Sequence, residues 1–440
     1  MKPSRWALLL AALLSLWNVW GYDLWAPDEP YFAEGAREMV ADGRWAVPHV
    51  NGVVTTDKPP LFFWIIALLS LPSGHVSSLT ARLPSALAAL GAVALTVRMG
   101  RRLSGERAGA LAGLVLATTH LHWDKSRSAQ IDALLGFLIL AALSLFAEWR
   151  AGGAHGRRAG LLFWLCLALA VLAKGPVGLL LPLGIALVTL ALDRRLVDWR
   201  RFAPFTGPLL FAAIVAGWMA AATLGGAGEY SVWEAFRRHV LERALFGMHH
   251  VQPPWYYLKV LPVQLLPWSG LLPGALLLAW RRRRDADDRF LLVFFLFVVV
   301  FFSLSTEKRD LYVLPACPAF ALLVARFATA LEGEKGAPAP GVPRRLWLTL
   351  PQAAVGTVLA VTGVVLPILA ARFEGGLVTA AAALGAALFV AGAIAFGTAL
   401  AARPVRALVV TGLGVAAACL VAVTALYPAL NPRNSARAFA

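Results

Sequence analysis

Long apolar runs with almost no charge are the feature that most restricts how this chain can fold. Examples lie at residues 205–224, 347–369, 378–400 and 407–426. A helix of about 20 residues crosses a hydrocarbon core of about 30 Å while satisfying its own backbone hydrogen bonds. The chain is 59% hydrophobic and only 15% charged, whereas soluble domains are about 25% charged. We therefore predict an all-α polytopic integral membrane protein.

The net charge of +16 is explained by membrane topology and does not require a nucleic-acid partner. Hydropathy predicts thirteen spans, which begin near residues 6, 78, 108, 129, 160, 175, 204, 258, 289, 311, 347, 377 and 407. If the N-terminus is cytoplasmic, the arginine-rich connections lie on the inner side with nearly all of the basic surplus, as the positive-inside rule predicts. Lys2 and Arg5 precede an apolar run like that of a signal peptide, but no small-residue cleavage site follows, so we expect an uncleaved first helix.

The predicted spans divide the chain into three parts. Residues 1–328 form a motif-rich transmembrane module with two long outer loops, 21–77 and 225–257. Residues 329–346 form a cytoplasmic linker rich in Pro and Gly, and residues 347–440 carry the last three spans. Within the first loop, residues 61–71 are too short to span and are bounded by prolines, which predicts an interfacial or re-entrant helix. The cysteines, Cys166, Cys317 and Cys419, lack CxxC spacing, so neither a disulfide framework nor a zinc knuckle is predicted.

The first outer loop gathers acids and bases that a lipid environment does not require. The stretch APDEPYFAEGAREM carries Asp28 and Glu29 at the start of a predicted helix. Asp28 can serve there as the helix N-cap. A cap does not explain the second acid-base pair, Asp57 and Lys58, which the following two prolines hold in extended geometry at the membrane surface.

Charged residues also stand at the outer ends of predicted spans. Arg127, Asp132 and Lys174 are functional candidates, because a charge at mid-helix costs about 2.5–3.5 kcal/mol on insertion scales. An interhelical ion pair or a lysine that snorkels to the interface would explain the same residues. Arg82 is the weakest of these candidates and is predicted to be an anchor.

Two later motifs complete the outer side. In ERALFGMHHVQPPWYYL, residues 242–258, His249 and His250 precede a run of aromatic residues that includes Tyr256. His250 and an outer carboxylate such as Asp57 could share a divalent metal, and the aromatic residues could instead form an interfacial belt.

The motif FFSLSTEKRDLYVLP, residues 301–315, places Lys308 and Arg309 at the mouth of a span. These two cations can snorkel to the interface or bind an anion. Cations suited to a lipid-linked phosphate and carboxylates suited to activating a hydroxyl therefore lie on one side of the membrane.

In this order, the motifs PDEPYFAEGAREM, GRWAVPHVNG, DKPPLFFW, ERALFGMHHVQPPWYYL and FFSLSTEKRDLYVLP resemble those of polyprenyl-phosphate-sugar-dependent glycosyltransferases. That family includes the aminoarabinose transferases of lipid A and the protein mannosyltransferases. The resemblance covers residues 6–328. It implies a GT-C fold with about 13 transmembrane helices and amphipathic helices in the first outer loop. It also implies a bacterial inner-membrane location, with the active site facing the periplasm.

The resemblance also implies roles for individual residues. The catalytic candidates are Asp28 and Asp57; the candidates for donor phosphate binding are Lys58, Arg127, Lys308 and Arg309; the candidates for substrate binding are Glu29, Tyr31, Asp132, Lys174, His249, His250 and Tyr256. Tyr31 stands where aminoarabinose transferases usually carry Arg, and Asp57 stands where they carry Glu. The chain is also shorter and is expected to lack a substantial soluble C-terminal domain. These departures weaken the prediction of aminoarabinose and lipid A while leaving the reaction class unchanged.

The predicted reaction is an inverting transfer of a sugar from undecaprenyl phosphate to an envelope acceptor such as lipid A, lipopolysaccharide or protein. Asp28 would be the base for a hydroxyl acceptor. No cofactor is required, although a divalent metal is left open. The expected partners are the lipid-linked donor, the glycolipid or protein acceptor and membrane lipids. The alternative is a polytopic transporter or lipid flippase, which the clustering of charge at one surface and the lack of a visible repeat disfavour.

Overall fold

The computed structural model describes residues 2–55, 58–152, 156–225, 250–332, 343, 345–372, 377–401 and 404–436. The helices of the first half are α1 (Pro3–Leu16), α2 (Asp28–Asp42), α3 (Leu61–Ser70), α4 (Ser78–Thr118), α5 (His120–Ser126), α6 (Ile131–Arg150), α7 (Gly156–Lys174), α8 (Val177–Leu192) and α9 (Thr206–Gly225). Those of the second half are α10 (Tyr256–Gln264), α11 (Leu272–Arg281), α12 (Ala286–Leu304), α13 (Cys317–Glu332), α14 (Leu350–Ala370), α15 (Leu377–Leu400), α16 (Pro404–Val421) and α17 (Tyr427–Asn434).

Short elements connect these helices. Single 3₁₀ segments occupy Leu71–Ser73, Leu196–Arg201, Ser269–Leu271 and Asp310–Ala316, and π-helical turns occupy Arg345–Thr349 and Ala422–Leu426. Strands β1 (His49–Val50) and β2 (Val53–Val54) form a small antiparallel hairpin. Its turn residues, Asn51 and Gly52, both have positive φ, which the tight hairpin turn requires and which Asn and Gly adopt most readily.

The all-α membrane fold is confirmed, but the count of thirteen spans is not. Eight helices among the described residues have the length and apolar composition of a span, or nine if the pair Tyr256–Gln264 and Ser269–Arg281, bent by 118°, forms one broken span. Every predicted starting point lies in or next to a helix. However, α1 and α8 are shorter apolar helices, and α12 begins with charged residues.

The two spans predicted from residues 78 and 108 are the two helical halves of α4, which a sharp break separates. The helix α4 contains non-helical backbone at Ser104 and Gly105, and Gly105 has φ +84° and ψ 177°. That conformation is accessible essentially only to glycine. The break therefore turns the chain back beside itself, and α1, α6 and α13 pack against α4 to form the core.

The first outer loop folds onto this core through aromatic packing. Helix α3 occupies the segment that was predicted to be interfacial or re-entrant, and Phe62 and Phe63 on it are fully buried. Their ring centroids lie 5.0 and 5.3 Å from that of Phe32 on α2. This packing fixes α2, and with it the position of Asp28 at the start of the helix.

The three last apolar helices pack closely with one another. A Cβ atom at Gly363 would lie 2.5 Å from the carbonyl oxygen of Gly385, and one at Gly392 would lie 2.5 Å from that of Gly356. Small residues at these crossings let α14 and α15 approach at backbone distance, as is typical of helix pairs in membranes. The predicted boundaries of the three parts of the chain remain predictions, and α17 returns to the first outer loop.

Candidate active site

A cavity of about 250 Å³ lies where four distant parts of the chain meet. Its walls come from residues 22–29 before and at the start of α2, residues 124–130 between α5 and α6, residues 309–311, and Tyr427 of α17. The first three segments contain charged residues that the sequence motifs place on the outer side. The cavity is therefore the place to compare with the predicted site.

Asp28 lies in the wall of this cavity, half-buried, as the first residue of α2. The N-cap is Pro27 and no side chain caps the helix, so the prediction that Asp28 is the N-cap is wrong. Its Oδ2 atom accepts a hydrogen bond from Nε2 of Gln130 and one of 2.9 Å from Nη2 of Arg309. The helix N-terminus adds a partial positive charge beside the carboxylate. The Asp28 carboxylate is thus held in a fixed orientation.

Gln130 uses one end of its side-chain amide, the nitrogen, to hold the Asp28 carboxylate. Its side chain is buried, and within the described part of the chain its Oε1 atom has no hydrogen-bond partner. Because the Asp28 carboxylate can only accept, the amide nitrogen must face Asp28 and the oxygen must face away. The amide nitrogen of Gln130 therefore fixes the Asp28 carboxylate, while its amide oxygen is buried on the far side.

Arg309 lies in the segment that follows α12, and two side chains of α10 hold this segment through hydrogen bonds. The Tyr257 hydroxyl donates a 3.0 Å hydrogen bond to the Arg309 carbonyl, and the Gln264 amide donates one of 2.9 Å to Asp310. Burial acts to lower the pKa of Arg309, but the hydrogen bond and charge of Asp28 outweigh it, so this pKa lies above its usual value. Arg309 is therefore a permanent cation at the cavity.

Lys125 is a second cation on the wall, and the sequence motifs did not single it out. Its ammonium group lies 2.7 Å from the carboxylate of Asp124. Burial acts to lower the pKa of Lys125, and the ion pair with Asp124 outweighs it, so this pKa is raised. Asp124, Lys125 and Asp310 give the cavity both signs of charge close to Asp28.

Glu29 was predicted to bind substrate, but its carboxylate makes its described contacts with the protein itself. Its two carboxylate oxygens accept hydrogen bonds of 2.7 Å from Nε and Nη2 of Arg82, and two more of 2.8 Å from the backbone amides of Trp25 and Ala129. Arg82 also donates to the carbonyls of Val19, Tyr22 and Asp23. This bidentate pair is a structural anchor of the loop, as predicted for Arg82, and its contacts do not support substrate binding by Glu29.

Breaking this buried pair should destabilise the protein strongly. The Arg82 side chain is 0% exposed and that of Glu29 is 8% exposed, so Glu29→Gln leaves a buried cation without its counter-charge. We expect a loss of about 3–5 kcal/mol in the free energy of unfolding, measured by denaturant titration in detergent. The control is Glu34→Gln on the same helix, whose pair with Arg37 is exposed and should contribute about 0–1 kcal/mol. Equal effects of the two variants would contradict the anchor.

Arg127, predicted to bind the donor phosphate, instead caps the end of α1. Its guanidinium donates to the carbonyls of Leu14 at 2.8 Å and Trp17 at 2.6 Å, and the side chain is almost fully buried. The last carbonyls of a helix have no partner within the helix, and a cation is a favourable one. These contacts give Arg127 a structural role; because it also lines the cavity, phosphate binding by Arg127 stays a prediction.

Asp132 and Lys174, predicted to bind substrate, pair with each other. The Lys174 ammonium donates to Asp132 Oδ1 between α6 and α7 and lies 4.6 Å from the ring centroid of Tyr312. The alternative of an interhelical ion pair therefore describes their contacts. Asp132 still contributes a negative charge near Arg309 and Lys125.

Lys308 ties two segments together and does not line the cavity. Its ammonium donates to the carbonyls of Gln252 at 2.8 Å and of Ser305, and its backbone amide donates to the carbonyl of His250 at 3.0 Å. Burial lowers the pKa of Lys308. This arrangement joins residues 250–252 to residues 305–308, with the His250 side chain exposed.

The remaining predicted residues are placed only in part. The Tyr31 hydroxyl lies 2.6 Å from the hydroxyl oxygen of Thr55, Lys58 is half-buried, and the Tyr256 ring packs edge-on against that of Tyr257. Asp57 and His249 lie outside the described residues. Within the described part of the chain, no group of three His, Cys, Asp or Glu residues could hold a metal ion, so the metal proposed for Asp57 and His250 stays a prediction.

Comparison with known proteins identifies the family that this architecture represents. Residues 6–205 match the model of the dolichyl-phosphate-mannose-protein mannosyltransferase family. The undecaprenyl phosphate-alpha-4-amino-4-deoxy-L-arabinose arabinosyl transferase of Pseudomonas aeruginosa (strain UCBPP-PA14) is 36% identical over 334 residues, which cover 73% of this chain and 59% of that protein. The crystal structure of ArnT from Cupriavidus metallidurans bound to undecaprenyl phosphate has a TM-score of 0.81 at 22% identity, covering 98% of this chain and 79% of that one.

This chain has the GT-C membrane fold and is similar in sequence to the aminoarabinose transferases. The family resemblance predicted from the motifs is thereby confirmed. The chain spans about three fifths of the length of the curated relatives it matches, so the activity of those relatives is a proposal for this chain.

Several cavity residues of this GT-C protein escaped prediction, among them Gln130, Lys125 and Tyr427, each for a different reason. Gln130 is uncharged, and only its place between Arg127 and Asp132 in the sequence could have drawn attention to it. Lys125 stands in the same motif and was passed over. Tyr427 lies at the end of a long apolar run, and an aromatic residue there is ordinarily an interfacial anchor.

Proposed function

We propose that this protein transfers a sugar from a polyprenyl phosphate, undecaprenyl phosphate, to an acceptor of the bacterial envelope. The observation that carries the proposal is the Asp28 carboxylate on the cavity wall, held by the Gln130 amide and the Arg309 guanidinium. A fixed carboxylate can accept a proton, and fixed cations can stabilise a phosphate leaving group. The fold, which it shares with ArnT, supports this assignment.

In the proposed step, the acceptor oxygen attacks the anomeric carbon from the face opposite the phosphate. The carbon–oxygen bond to the phosphate breaks, its electron pair stays on the phosphate oxygen, and the anomeric configuration inverts. Asp28 takes the proton of a hydroxyl acceptor, and the Gln130 amide nitrogen keeps that carboxylate in place. Arg309 and Lys125 stabilise the charge on the departing phosphate, and Lys58 adds a further cation. A phosphate acceptor would need no base, and Asp28 would then orient the donor.

The relatives suggest which sugar donors and which acceptors should be tested first. The name of the Pseudomonas relative specifies an amino-deoxy-pentose carried on undecaprenyl phosphate, so we propose a pentose donor before a hexose. Lipid A is the first acceptor to test, with other envelope glycans and protein after it. Tyr31, whose hydroxyl lies against that of Thr55, stands where aminoarabinose transferases usually carry Arg. This difference favours a donor other than aminoarabinose or an acceptor other than lipid A.

The location we propose is the bacterial inner membrane, with the cavity facing the periplasm. The opposite side carries a dense cluster of ion pairs, in which Arg150 and Arg289 share Asp193 and Arg326 pairs with Asp288. Basic connections on that side fit the cytoplasmic face. A lipid-linked donor would then reach the cavity from the outer leaflet.

The test is transfer by the purified chain in proteoliposomes. Donors would be undecaprenyl phosphate carrying a pentose or a hexose, acceptors would be lipid A, other envelope glycans and protein, and mass spectrometry would detect the product with and without EDTA. We expect covalent transfer that EDTA does not abolish. Loss of transfer on chelation would instead support the metal. Accumulation of a labelled donor inside vesicles without any covalent product would overturn the proposal in favour of a transporter or flippase.

A further inference from the structure

Helix α17 contributes to the wall of the cavity, although it lies about 400 residues after the segment that leads into α2. Tyr427, the first residue of α17, lines the cavity, and its ring centroid lies 5.2 Å from that of Tyr22 and 5.1 Å from that of Trp25. Tyr22 and Trp25 belong to the segment that leads into α2. The contact therefore joins the C-terminal helix to the backbone that carries Asp28.

One side chain makes most of the polar contacts in this junction. Oδ1 of Asn431 accepts hydrogen bonds from the backbone amide of Asp23 at 2.9 Å and from Nε1 of Trp25 at 3.1 Å. Nδ2 of Asn431 donates to Oδ2 of Asp23 at 3.1 Å. The amide thus uses its donor and its acceptor on two residues of one segment.

Neighbouring residues reinforce the same junction. The Ser435 hydroxyl donates to Oδ2 of Asp23 at 2.8 Å, and the backbone amide of Ala436 donates to the carbonyl of Leu24 at 3.0 Å. Nearer the start of the loop, the Asn18 amide donates to the carbonyl of Val423 at 2.6 Å. The junction is therefore a set of directed hydrogen bonds, which fixes an orientation in a way that apolar packing alone does not.

The segment 19–29 is consequently held from two sides. Arg82 holds it from the core through the carbonyls of Val19, Tyr22 and Asp23 and through the Glu29 carboxylate. Asn431 holds it from the C-terminal side through Asp23 and Trp25. Asp28 lies between the last of these contacts and Glu29, so both sets of contacts determine how its carboxylate meets Gln130.

We infer that Asn431 is a positioning residue for Asp28, so that α17 is part of the active site. This inference rests on the proposed function for its kinetic consequence and on the hydrogen bonds for its structural one. A carboxylate displaced by about 1 Å can lose about 10²-fold in rate. The cations Arg309 and Lys125 stand on other segments, and the hydrogen bonds described for Asn431 go to Asp23 and Trp25 only. Loss of the junction should therefore lower kcat and leave the KM for the lipid donor nearly unchanged.

The polar pairing allows a test by exchange. In Asn431→Asp, the new carboxylate faces that of Asp23 and its Oδ2 has no proton to donate. In the double variant Asp23→Asn with Asn431→Asp, the amide at position 23 can donate to the carboxylate at position 431, which still accepts from the backbone amide and from Trp25. The matched control is Asn434→Asp, the same change at an exposed position on the same helix.

We expect Asn431→Asp to lower kcat by about 10- to 100-fold with KM changed less than about threefold, and the double variant to recover most of the loss. Asn434→Asp should behave as wild type. An Asn431→Asp enzyme with wild-type kcat would overturn the inference. If that variant does not fold, the double variant decides: recovery of folded, active protein supports the pairing, and a double variant no better than the single one overturns it.

The same variants separate this inference from the proposed function. Wild-type protein that transfers no sugar in any donor and acceptor combination would contradict the proposed function alone. The apparent melting temperatures of the wild type, both single variants and the double variant would still report the junction. Melting temperatures that fall in Asn431→Asp and recover in the double variant support it, and additive losses in the double variant overturn it.

Discussion

Asp28→Asn should abolish most of the transfer from a lipid-phosphate sugar to a hydroxyl acceptor while leaving the protein folded. Asparagine has the size of aspartate, and its Oδ1 atom can still accept from Gln130 and Arg309, so the cavity wall is retained. What is lost is the anion that takes the acceptor proton. General-base catalysis contributes about 10²- to 10⁴-fold, and we expect kcat to fall within that range.

The measurement is initial rate at saturating donor, with folding checked by size-exclusion chromatography in detergent. The control is Asp42→Asn at the other end of α2, where the carboxylate is exposed and pairs with Arg44. That variant carries the same chemical change on the same helix and should keep the wild-type rate. Undiminished turnover by folded Asp28→Asn protein would remove Asp28 from the mechanism. A loss confined to hydroxyl acceptors would identify the base, because a phosphate acceptor has no proton to give up.

The fold could be predicted from the sequence to the extent that it depends on local apolar composition. Each apolar run is a helix, because a backbone surrounded by lipid has to satisfy its own hydrogen bonds. The number of spans could not be read in the same way. Whether α1 or α8 crosses the membrane depends on tilt and on neighbouring helices, whereas the break at Gly105 lies between two spans that the sequence separates.

The sequence indicates which charged residues are candidates for the site, because a charge near a membrane span needs an explanation. It does not indicate which charged residues pair with one another, and that pairing decides the role of each. Asp28 and Arg309 were both identified from their motifs, and the structure joins them across 281 positions. Glu29 and Arg127 were chosen by the same reasoning; their side chains hold the scaffold together at the cavity wall, and their predicted roles toward the substrate stay predictions. Which charge pairs with which is set by tertiary packing, and a sequence without that packing shows only that charges are present.

The C-terminal helix shows a second limit of sequence reasoning. Residues 347–440 look like plain apolar spans, and the Pro/Gly linker before them suggests a separate part of the chain. Tyr427 and Asn431 nevertheless reach the first outer loop. Single polar residues at the end of an apolar helix carry no pattern, so their contacts become visible only in the folded molecule.

Arg309→Met should both weaken binding of the lipid-linked donor and slow the chemical step. In the structure Arg309 pairs with Asp28, and a lipid-linked phosphate would compete with that carboxylate for the guanidinium. Arg309 donates a single 2.9 Å hydrogen bond to Asp28, whereas a phosphate can accept two parallel hydrogen bonds from a guanidinium, so phosphate can displace the carboxylate. Loss of one donor that stabilises developing charge costs about 10²- to 10³-fold in kcat, and we expect a loss of that size together with a raised KM for the donor. Arg309→Lys keeps the charge without the fork and should recover only part of it.

The competition between Asp28 and phosphate gives the sharper measurement. If Arg309 exchanges Asp28 for the carrier phosphate, then Asp28→Asn replaces the competing carboxylate with a neutral amide. That variant should bind undecaprenyl phosphate more tightly than wild type, although it transfers sugar to a hydroxyl acceptor far more slowly. Arg309→Met should bind it more weakly. The exposed pair Asp42 and Arg44 supplies the controls, since Asp42→Asn and Arg44→Met make the same changes away from the cavity. Binding measured by calorimetry in detergent that is equal in wild type, Asp28→Asn and Arg309→Met would show that the phosphate lies elsewhere, and would direct the search to Lys58.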